Sequence, residues 1–377
     1  MVDTTETKFA LRHSGKSVRL YDVSNSDVIP HAHEVKMDAL KRLDGVDSLI
    51  GSTPLLKIDL LWKGNPRTIF AKAEYLNLTG SIKDRMAVHI LRKGLKTGEL
   101  AKGFSIVEAT SGNTGVSFSA LGRLIGCNVI IYMPDWMSIE RINLMKAYGA
   151  DVRLVSREEG GFKGSIERAE QAKRDDPEHV FLPRQFDNED NSEAHYLTTG
   201  PEIVIQLARL HRRPDAFVAG VGTGGTVMGC GRFIRKLFPD ARIHPLEPSS
   251  SPTLSTGYKI GFHRIQGISD EFIPAILKLD ELDSVVNVDD GDAIIAAQAL
   301  SRNLGLGVGI SAGGNFLGAL KLLNAMPEEQ AREATVVTVF VDDNKKYLST
   351  DYSKVEEPKE GFLMPEIELL RVTSVGL

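Results

Sequence analysis

Three short clusters in this chain carry residue types whose order suits chemistry on a small molecule. The first is Gly80-Ser-Ile-Lys83-Asp-Arg, after a strand-like run and at the opening of a helical pattern. A lysine there sits near the positive end of a helix dipole, where an ammonium is disfavoured and a neutral amine or imine is easier to keep. Such an amine suits a Schiff base, and the plainer alternative is a surface lysine paired with Asp84. The second is Glu108-Ala-Thr110-Ser111-Gly112-Asn113-Thr114-Gly115, between a strand at 106–107 and a helix at 116–121. Hydroxyls, an amide and glycine-exposed N–H groups at a helix N-terminus form an anion site that suits a carboxylate. An ordinary N-cap uses one hydroxyl, whereas this stretch offers three. The third is Gly220-Val-Gly222-Thr223-Gly224-Gly225-Thr226, directly after the apolar run 216–219. Its glycines let the backbone approach a phosphate while two threonines add donors. It also matches G-x-G-x-x-G with Glu247 about 20 residues on, as a dinucleotide fold requires. A dinucleotide leaves the first two clusters without a purpose, whereas a single-phosphate cofactor bound by lysine accounts for all three.

The elements that must position these clusters read as alternating strands and helices. Short β-branched runs at 68–72, 105–108, 128–133, 151–155, 216–219, 242–246 and 336–341 predict strands, with helix-period segments such as 86–93 between them. Runs this apolar need cover on both faces. The fold class expected is therefore α/β, with mostly parallel sheets in layered α/β/α architecture, two such domains meeting at a cleft and ligands at the strand C-terminal ends. The expected division is an N-terminal extension at 1–45, a first α/β domain at 46–187 with the lysine and carboxylate loop, a second at 188–349 with the phosphate loop, and a tail at 350–377 that reads as an arm or flexible end.

Composition narrows the function. With 377 residues, 42% hydrophobic and 25% charged, the chain has ample material for a core and is not disordered or collagen-like. Lys and Arg total 45 against 50 Asp and Glu, a net charge of −5, so no global positive field favours nucleic acid or an anionic bilayer. The longest apolar runs fall far short of a membrane span. Cys127 and Cys230 make neither a disulfide framework nor a C-x-x-C pair, and with a polar N-terminus lacking a secretory pattern they point to a cytoplasmic protein. His31-Ala-His33 has no third ligand near it, so no metal is expected.

A longer ordered set of motifs gives the chain a resemblance to a known family. Thr53-Pro-Leu, Asn77-x-x-Gly-Ser-Ile-Lys83-Asp-Arg, Thr110-Ser-Gly-Asn-Thr-Gly, Met133-Pro-Asp with Glu140-Arg, Gln185-Phe-Asp-Asn, His195-x-x-Thr-Thr-Gly-Pro-Glu-Ile, Gly222-Thr-Gly-Gly-Thr, Gln266-Gly-Ile with Phe272-Ile-Pro, Gly309-Ile-Ser311 and Tyr347-Leu-Ser-Thr follow one another between about 49 and 350. In this the chain resembles the fold type II pyridoxal-phosphate enzymes, of tryptophan synthase β-like architecture, in the cysteine synthase and cystathionine β-synthase branch. The resemblance implies pyridoxal 5'-phosphate as cofactor, with Lys83 forming the internal aldimine and Asn113 hydrogen-bonding the phenolic oxygen. It implies that Thr110, Ser111, Thr114 and Gln185 hold the substrate carboxylate, that Gly222, Thr223, Gly224, Gly225 and Thr226 bind the phosphate, and that Ser311 meets the pyridine nitrogen. A neutral hydroxyl at that nitrogen does not enforce a protonated ring, which favours elimination over transamination. The implied reaction is β-replacement or β-elimination on L-cysteine, L-serine or an O-activated serine: Lys83 is displaced, removes the α-proton, the β-substituent leaves, and the α-aminoacrylate accepts a thiol, sulfide or water. A homodimer is also implied.

The chain departs from the family pattern at several points. Leu78 and Ala109 stand where proline is usual, and the segment beginning at Glu247 has an unusual composition. Ser269-Asp270-Glu271 replaces a small, glycine-rich stretch that lines the family's active site. A carboxylate there can act as base, so Asp270 is expected to activate the nucleophile; the alternative is a solvated loop. With water as nucleophile and thiolate as leaving group, cysteine would become serine with release of hydrogen sulfide. Three other readings stay open: a serine or threonine dehydratase, a nicotinamide-dependent oxidoreductase using the Gly220 loop, and a non-catalytic partner-binding relative. The N-terminal arm holds no cysteine for a haem, and Cys230 reads as a small buried helix residue.

Overall fold

The structure is a computed structural model that describes residues 32–258 and 260–377. The segment before residue 32, including His31 of the His31-Ala-His33 pair, lies outside the described residues. In chain order the elements are α1 (Ala32–Asp44), β1 (Leu55–Trp62), β2 (Asn65–Ala73), α2 (Lys83–Thr97), β3 (Ser105–Ala109), α3 (Asn113–Leu124), β4 (Asn128–Pro134), α4 (Ile139–Ala147), β5 (Asp151–Val155), α5 (Gly161–Asp175) and β6 (Val180–Phe181). They continue with α6 (Asp190–Leu197), α7 (Thr199–Arg209), β7 (Ala216–Gly220), α8 (Gly225–Leu237), β8 (Arg242–Pro248), the one-turn α9 (Thr253–Thr256), β9 (Val286–Val288), α10 (Asp290–Leu304), α11 (Ile310–Asn324), α12 (Glu328–Glu333), β10 (Val336–Phe340) and β11 (Ile367–Val375). No helix among the described residues is long and apolar enough to cross a membrane.

Two sheets organise these elements. The larger has seven strands in the order β11-β1-β2-β10-β7-β8-β9, and the smaller four in the order β5-β4-β3-β6. The smaller sheet is parallel throughout, as is the larger from β2 to β9, while β11, β1 and β2 pair antiparallel. Alternation along β10 shows why both faces need helices. Val336 and Phe340 pack with Ala297, Phe316 and Leu320 of α10 and α11, whereas Val337 and Val339 pack with Leu207 and Ile234 of α7 and α8. The smaller sheet is covered likewise. Ile106, Val129 and Ile131 meet α2, α3 and α4 on one face, and Val107 and Tyr132 meet Ala169 of α5 on the other.

Two expectations need correction. Residues 55–73, assigned to the first domain, belong to the larger sheet, with Ile69 opposite Val336 and Ala73 opposite Phe340. The run Ile69-Phe-Ala is completely buried, and only a central position between β1 and β10 covers both of its faces. The tail is not a free arm, because β11 runs along β1 from Val375 opposite Leu55 to Ile367 opposite Trp62. Its side chains are mostly exposed or half-buried, and Arg371 bonds Asp59 at 2.7 Å. A charged, half-wet edge strand of this kind lacks the apolar run by which an interior strand is recognised.

Candidate active site

Lys83 opens α2 directly after an isolated bridge that pairs Ser81 with Asp342 at the end of β10. The surface-lysine alternative is excluded by geometry. Asp84 is buried, and its carboxylate accepts from the Thr79 hydroxyl, the Thr79 N–H and the Ser117 hydroxyl, each at 2.6 Å. The remaining surface of Lys83 faces a cavity. Burial pushes its amine below the ordinary lysine range, against which the charges of Asp342 and Asp270 act. A buried ionic cluster anchors this helix turn. Arg85 donates to Glu74 at 2.6 Å and to Glu202 at 2.7 Å, and Lys72 lies 2.7 Å from Glu202. Burial raises the Glu74 carboxyl, but Arg85, with Lys72 and Thr53 adding to it, more than offsets this and holds the group at about 2.

The second cluster links β3 to α3. Thr110 accepts the Gly112 N–H on its hydroxyl at 2.9 Å, Thr114 donates to Gln185 at 2.5 Å, and Gln185 donates to the Ala109 carbonyl at 2.9 Å. Gly112 has φ of 153°, and a Cβ there would stand 2.4 Å from Cδ of Arg141, so only glycine admits the arginine. The third cluster links β7 to α8. A Cβ on Gly222 would stand 2.4 Å from the Gly267 carbonyl, which brings the loop hard against the segment bearing Asp270. Thr223 accepts from Asn191 at 2.9 Å, and Thr226 faces His195 at 3.4 Å. Burial drives the His195 imidazole down to about 3, with the charges of Arg85 and Lys83 adding to the effect, so it is neutral.

One cavity gathers the expected residues. Lys83, Asn113, Ser311, Gly222, Thr223, Gly224 and Thr226 line it, as do Thr110, Ser111, Thr114, Gln185 and Asp270. Gly225 is not on this wall; it is the first residue of α8, where a Cβ would collide with Asn191. Glu247 is also elsewhere: its carboxylate accepts from the Leu254 N–H at 2.6 Å and from Asn287 at 3.1 Å. It is buried and committed, so it does not serve as the ribose ligand of a dinucleotide site. The cavity opens into an outer one of about 800 Å³, with Ser111, Gln266 and Asp270 in both walls.

The sequence reading gave no role to Arg141, Asp342, Gln266 or Tyr347. Arg141 is fully buried, bonds Ser138 at 2.8 Å and lies 5.1 Å over the Tyr347 ring. Asp342 accepts from Asn113 at 2.6 Å and from the Tyr347 hydroxyl. The signal that could have found Asp342 is an acid placed straight after a wholly apolar parallel strand, where ligand sites gather.

The donor set fits pyridoxal phosphate. Buried Asn113 Oδ1, Gln266 Oε1 and Arg141 Nη2 have no hydrogen-bond partner among the described residues and belong to residues of the cavity wall. Such a wall suits a polar ligand with both donors and acceptors. Lys83 offers an amine to an aldehyde, and the Gly222–Thr226 turn offers backbone N–H groups and hydroxyls to a phosphate.

Comparison with known proteins agrees. Residues 46–342 match the family described as "Pyridoxal-phosphate dependent enzyme". The chain is 39% identical over 312 residues to a "Probable cysteine synthase" of Bacillus subtilis, an alignment covering 83% of this chain and 98% of the relative. The crystal structure of a hydrogen sulfide-producing enzyme from Fusobacterium nucleatum is 54% identical with a TM-score of 0.86, covering 89% of this chain and 99% of that one. An aspartate-to-asparagine mutant of that enzyme, complexed with an α-aminoacrylate intermediate, is 55% identical with a TM-score of 0.85, covering 88% and 99%. On these grounds the chain belongs to the cysteine synthase family of fold type II pyridoxal-phosphate enzymes, and it is an enzyme of β-replacement and β-elimination.

Proposed function

We propose that the protein converts L-cysteine and water to L-serine and hydrogen sulfide, with Lys83 and Asp270 as its two proton-handling groups. The observation that carries this reading is the position of Asp270, on the inner wall with Lys83 and on the outer cavity from which water arrives. The likeness to a hydrogen sulfide-producing enzyme over almost its whole length supports it.

In this reading Lys83 holds the cofactor through its amine, Asn113 and Ser311 contact its ring, and Gly222, Thr223, Gly224 and Thr226 take its phosphate, while Gly225, off the cavity wall, donates its N–H to the Thr223 hydroxyl. Bound pyridoxal phosphate supplies an electron sink for the α-carbon of an amino acid. Thr110, Ser111, Thr114 and Gln185 bind the substrate carboxylate through hydroxyls, an amide and the N-terminus of α3. The Lys83 amine, which burial keeps from holding its proton as an ordinary lysine does, takes the α-proton at Nζ and later returns it. The C–S bond breaks first and hydrosulfide leaves; Asp270 then accepts a proton from water on its carboxylate as the oxygen forms the C–O bond at the β-carbon, and passes that proton to the solvent of the outer cavity, where hydrosulfide takes one up as hydrogen sulfide. A homodimer is part of the reading and rests on the family resemblance. A cytoplasmic location is supported by two buried free thiols.

A second reading, formation of cysteine from an activated serine and sulfide, is favoured by the cysteine synthase relatives. One experiment separates the two. Purified holoenzyme is given cysteine alone, or O-acetylserine with sulfide, and the products are identified by mass. Serine and sulfide from cysteine support the first reading, and cysteine from O-acetylserine and sulfide with no serine from cysteine supports the second; 2-oxo acid as the sole product in both arms would replace both with an eliminating lyase.

A further inference from the structure

Asp342 is completely buried at the end of β10. Its main chain is held from two sides: the Ile82 N–H donates to the Val341 carbonyl at 2.9 Å, and the Gly309 N–H donates to the Asp342 carbonyl at 3.0 Å. The main chain at 341–342 is therefore pinned between the residue preceding Lys83 at the start of α2 and the residue preceding α11, whose first turn bears Ser311. A Cβ on Gly309 would stand 2.2 Å from Oδ1, so the space for the carboxylate exists because residue 309 is glycine.

The hydrogen bonding of this carboxylate is lopsided. Oδ2 accepts from Nδ2 of Asn113 at 2.6 Å and from the Tyr347 hydroxyl, while Oδ1 is buried without a partner among the described residues. Lys346, the nearest lysine after it in sequence that is buried, pairs with Asp343 at 3.8 Å. A buried carboxylate lacking a cation is costly. The buried amine brought near it is Lys83: Ser81 bridges Asp342, Ile82 bonds Val341, and Lys83 shares a cavity wall with Asn113, which Asp342 holds; the Asp342 charge opposes the effect of burial on that amine. The same carboxylate also selects the orientation of Asn113. A carboxylate only accepts, so the amide must turn its nitrogen toward Oδ2 and its oxygen away.

We propose that Asp342 is a positioning residue of the active site, setting the Asn113 amide and supplying the counter-charge to the Lys83 nitrogen while that nitrogen is joined to the cofactor. This rests on the reading in which Lys83 carries the cofactor and Asn113 contacts it. The other charged or titratable groups around the carboxylate are Asp343 and Tyr347 from the following segment, Arg141 from α4 across the Tyr347 ring, and Asp270 on the cavity wall. Burial, with the Asp342 charge adding to it, lifts the Tyr347 phenol well above its ordinary range, so it stays a donor.

The test is a pH titration of the visible absorption of the holoenzyme in wild type, Asp342→Asn and Tyr347→Phe. Asparagine at 342 removes the charge. The absorption of the protonated lysine–cofactor linkage is then lost at a proton concentration at least about tenfold higher than in wild type, with cofactor content and far-UV circular dichroism unchanged. Tyr347→Phe keeps the charge and removes one hydrogen bond to it, so its midpoint stays at or above that of wild type. An Asp342→Asn holoenzyme that titrates as wild type overturns the proposal. Should that variant fail to fold or to hold cofactor, a Tyr347→Phe midpoint below wild type overturns it instead. Borohydride reduction and peptide mass spectrometry of wild type separate the two levels: no reduced adduct at Lys83 defeats the underlying reading, whatever the titrations show.

Discussion

The hydroxyl of Thr114 donates to Oε1 of Gln185 at 2.5 Å, tying the first turn of α3 to the segment that follows β6. The amide of Gln185 is fixed at its other end too, since Nε2 donates to the Ala109 carbonyl at 2.9 Å. Two residues 71 apart in sequence thus brace one side of the Thr110–Thr114 turn.

Gln185→Ala removes that brace and one of the groups proposed for the substrate carboxylate. A hydrogen bond to a charged group contributes about 1.5–3 kcal/mol, so KM for the amino acid rises by about tenfold to a hundredfold. Circular dichroism should show the fold retained. Steady-state kinetics checks it, and an unchanged KM would remove Gln185 from the substrate site.

Asp270→Asn keeps the size of the side chain and removes the base. Serine formation from cysteine should fall by about 10²-fold or more, the usual contribution of a positioned general base. Release of the first equivalent of sulfide should persist, because that step uses Lys83. Rapid-quench measurement of sulfide and serine in one turnover distinguishes the two steps; parallel loss of both would assign Asp270 to binding instead.

Arg85 meets Glu74 and Glu202 in a buried cluster. Arg85→Met leaves both carboxylates without their guanidinium, and breaking a buried pair in this way costs about 3–5 kcal/mol. Urea unfolding followed by fluorescence should show a midpoint far below wild type. Because the Glu74 carboxyl is depressed to about 2, its stabilising effect is present above the unfolded carboxylate range and is lost as pH falls through about 2.

His195, buried between Thr199 and Thr226, is held neutral with its pKa lowered to about 3. The unfolded chain binds a proton near 6.5 that the folded chain refuses, so stability is full above 6.5 and falls as pH drops from there toward about 3. The total is on the order of 5 kcal/mol. In His195→Asn the slope of melting temperature against pH across this window should flatten, as scanning calorimetry at several pH values would show. A slope equal to that of wild type would mean that other groups carry the acid sensitivity.

Much of the site was legible in the sequence because each of its three clusters is a local object. Lys83, the run Thr110 to Thr114 and the run Gly222 to Thr226 each follow a strand and open or precede a helix, and the strand–turn–helix pattern shows itself within a few residues. The strands that carry them were equally plain where they are buried on both faces, as at Val336–Phe340. The edge strand Ile367–Val375 was not, since its half-exposed side chains resemble a loop until β1 lies beside it.

What the amino-acid order determined by itself was a set of chemical groups and their local setting: the Lys83 amine at a helix start, the hydroxyl-rich turn Thr110–Thr114 and the glycine-rich turn Gly222–Thr226 each after a strand, and an acid at 270 in the long segment between β8 and β9. Tertiary structure alone decided that Asn113 would meet Asp342 from 229 residues away, that Arg141 would lie over Tyr347, and that Glu247 would be spent on the Leu254 N–H. The reason is physical. Local pattern follows from backbone geometry and side-chain periodicity over a few residues, whereas contacts between distant residues depend on which strands become neighbours, and that is set by the burial of the whole core.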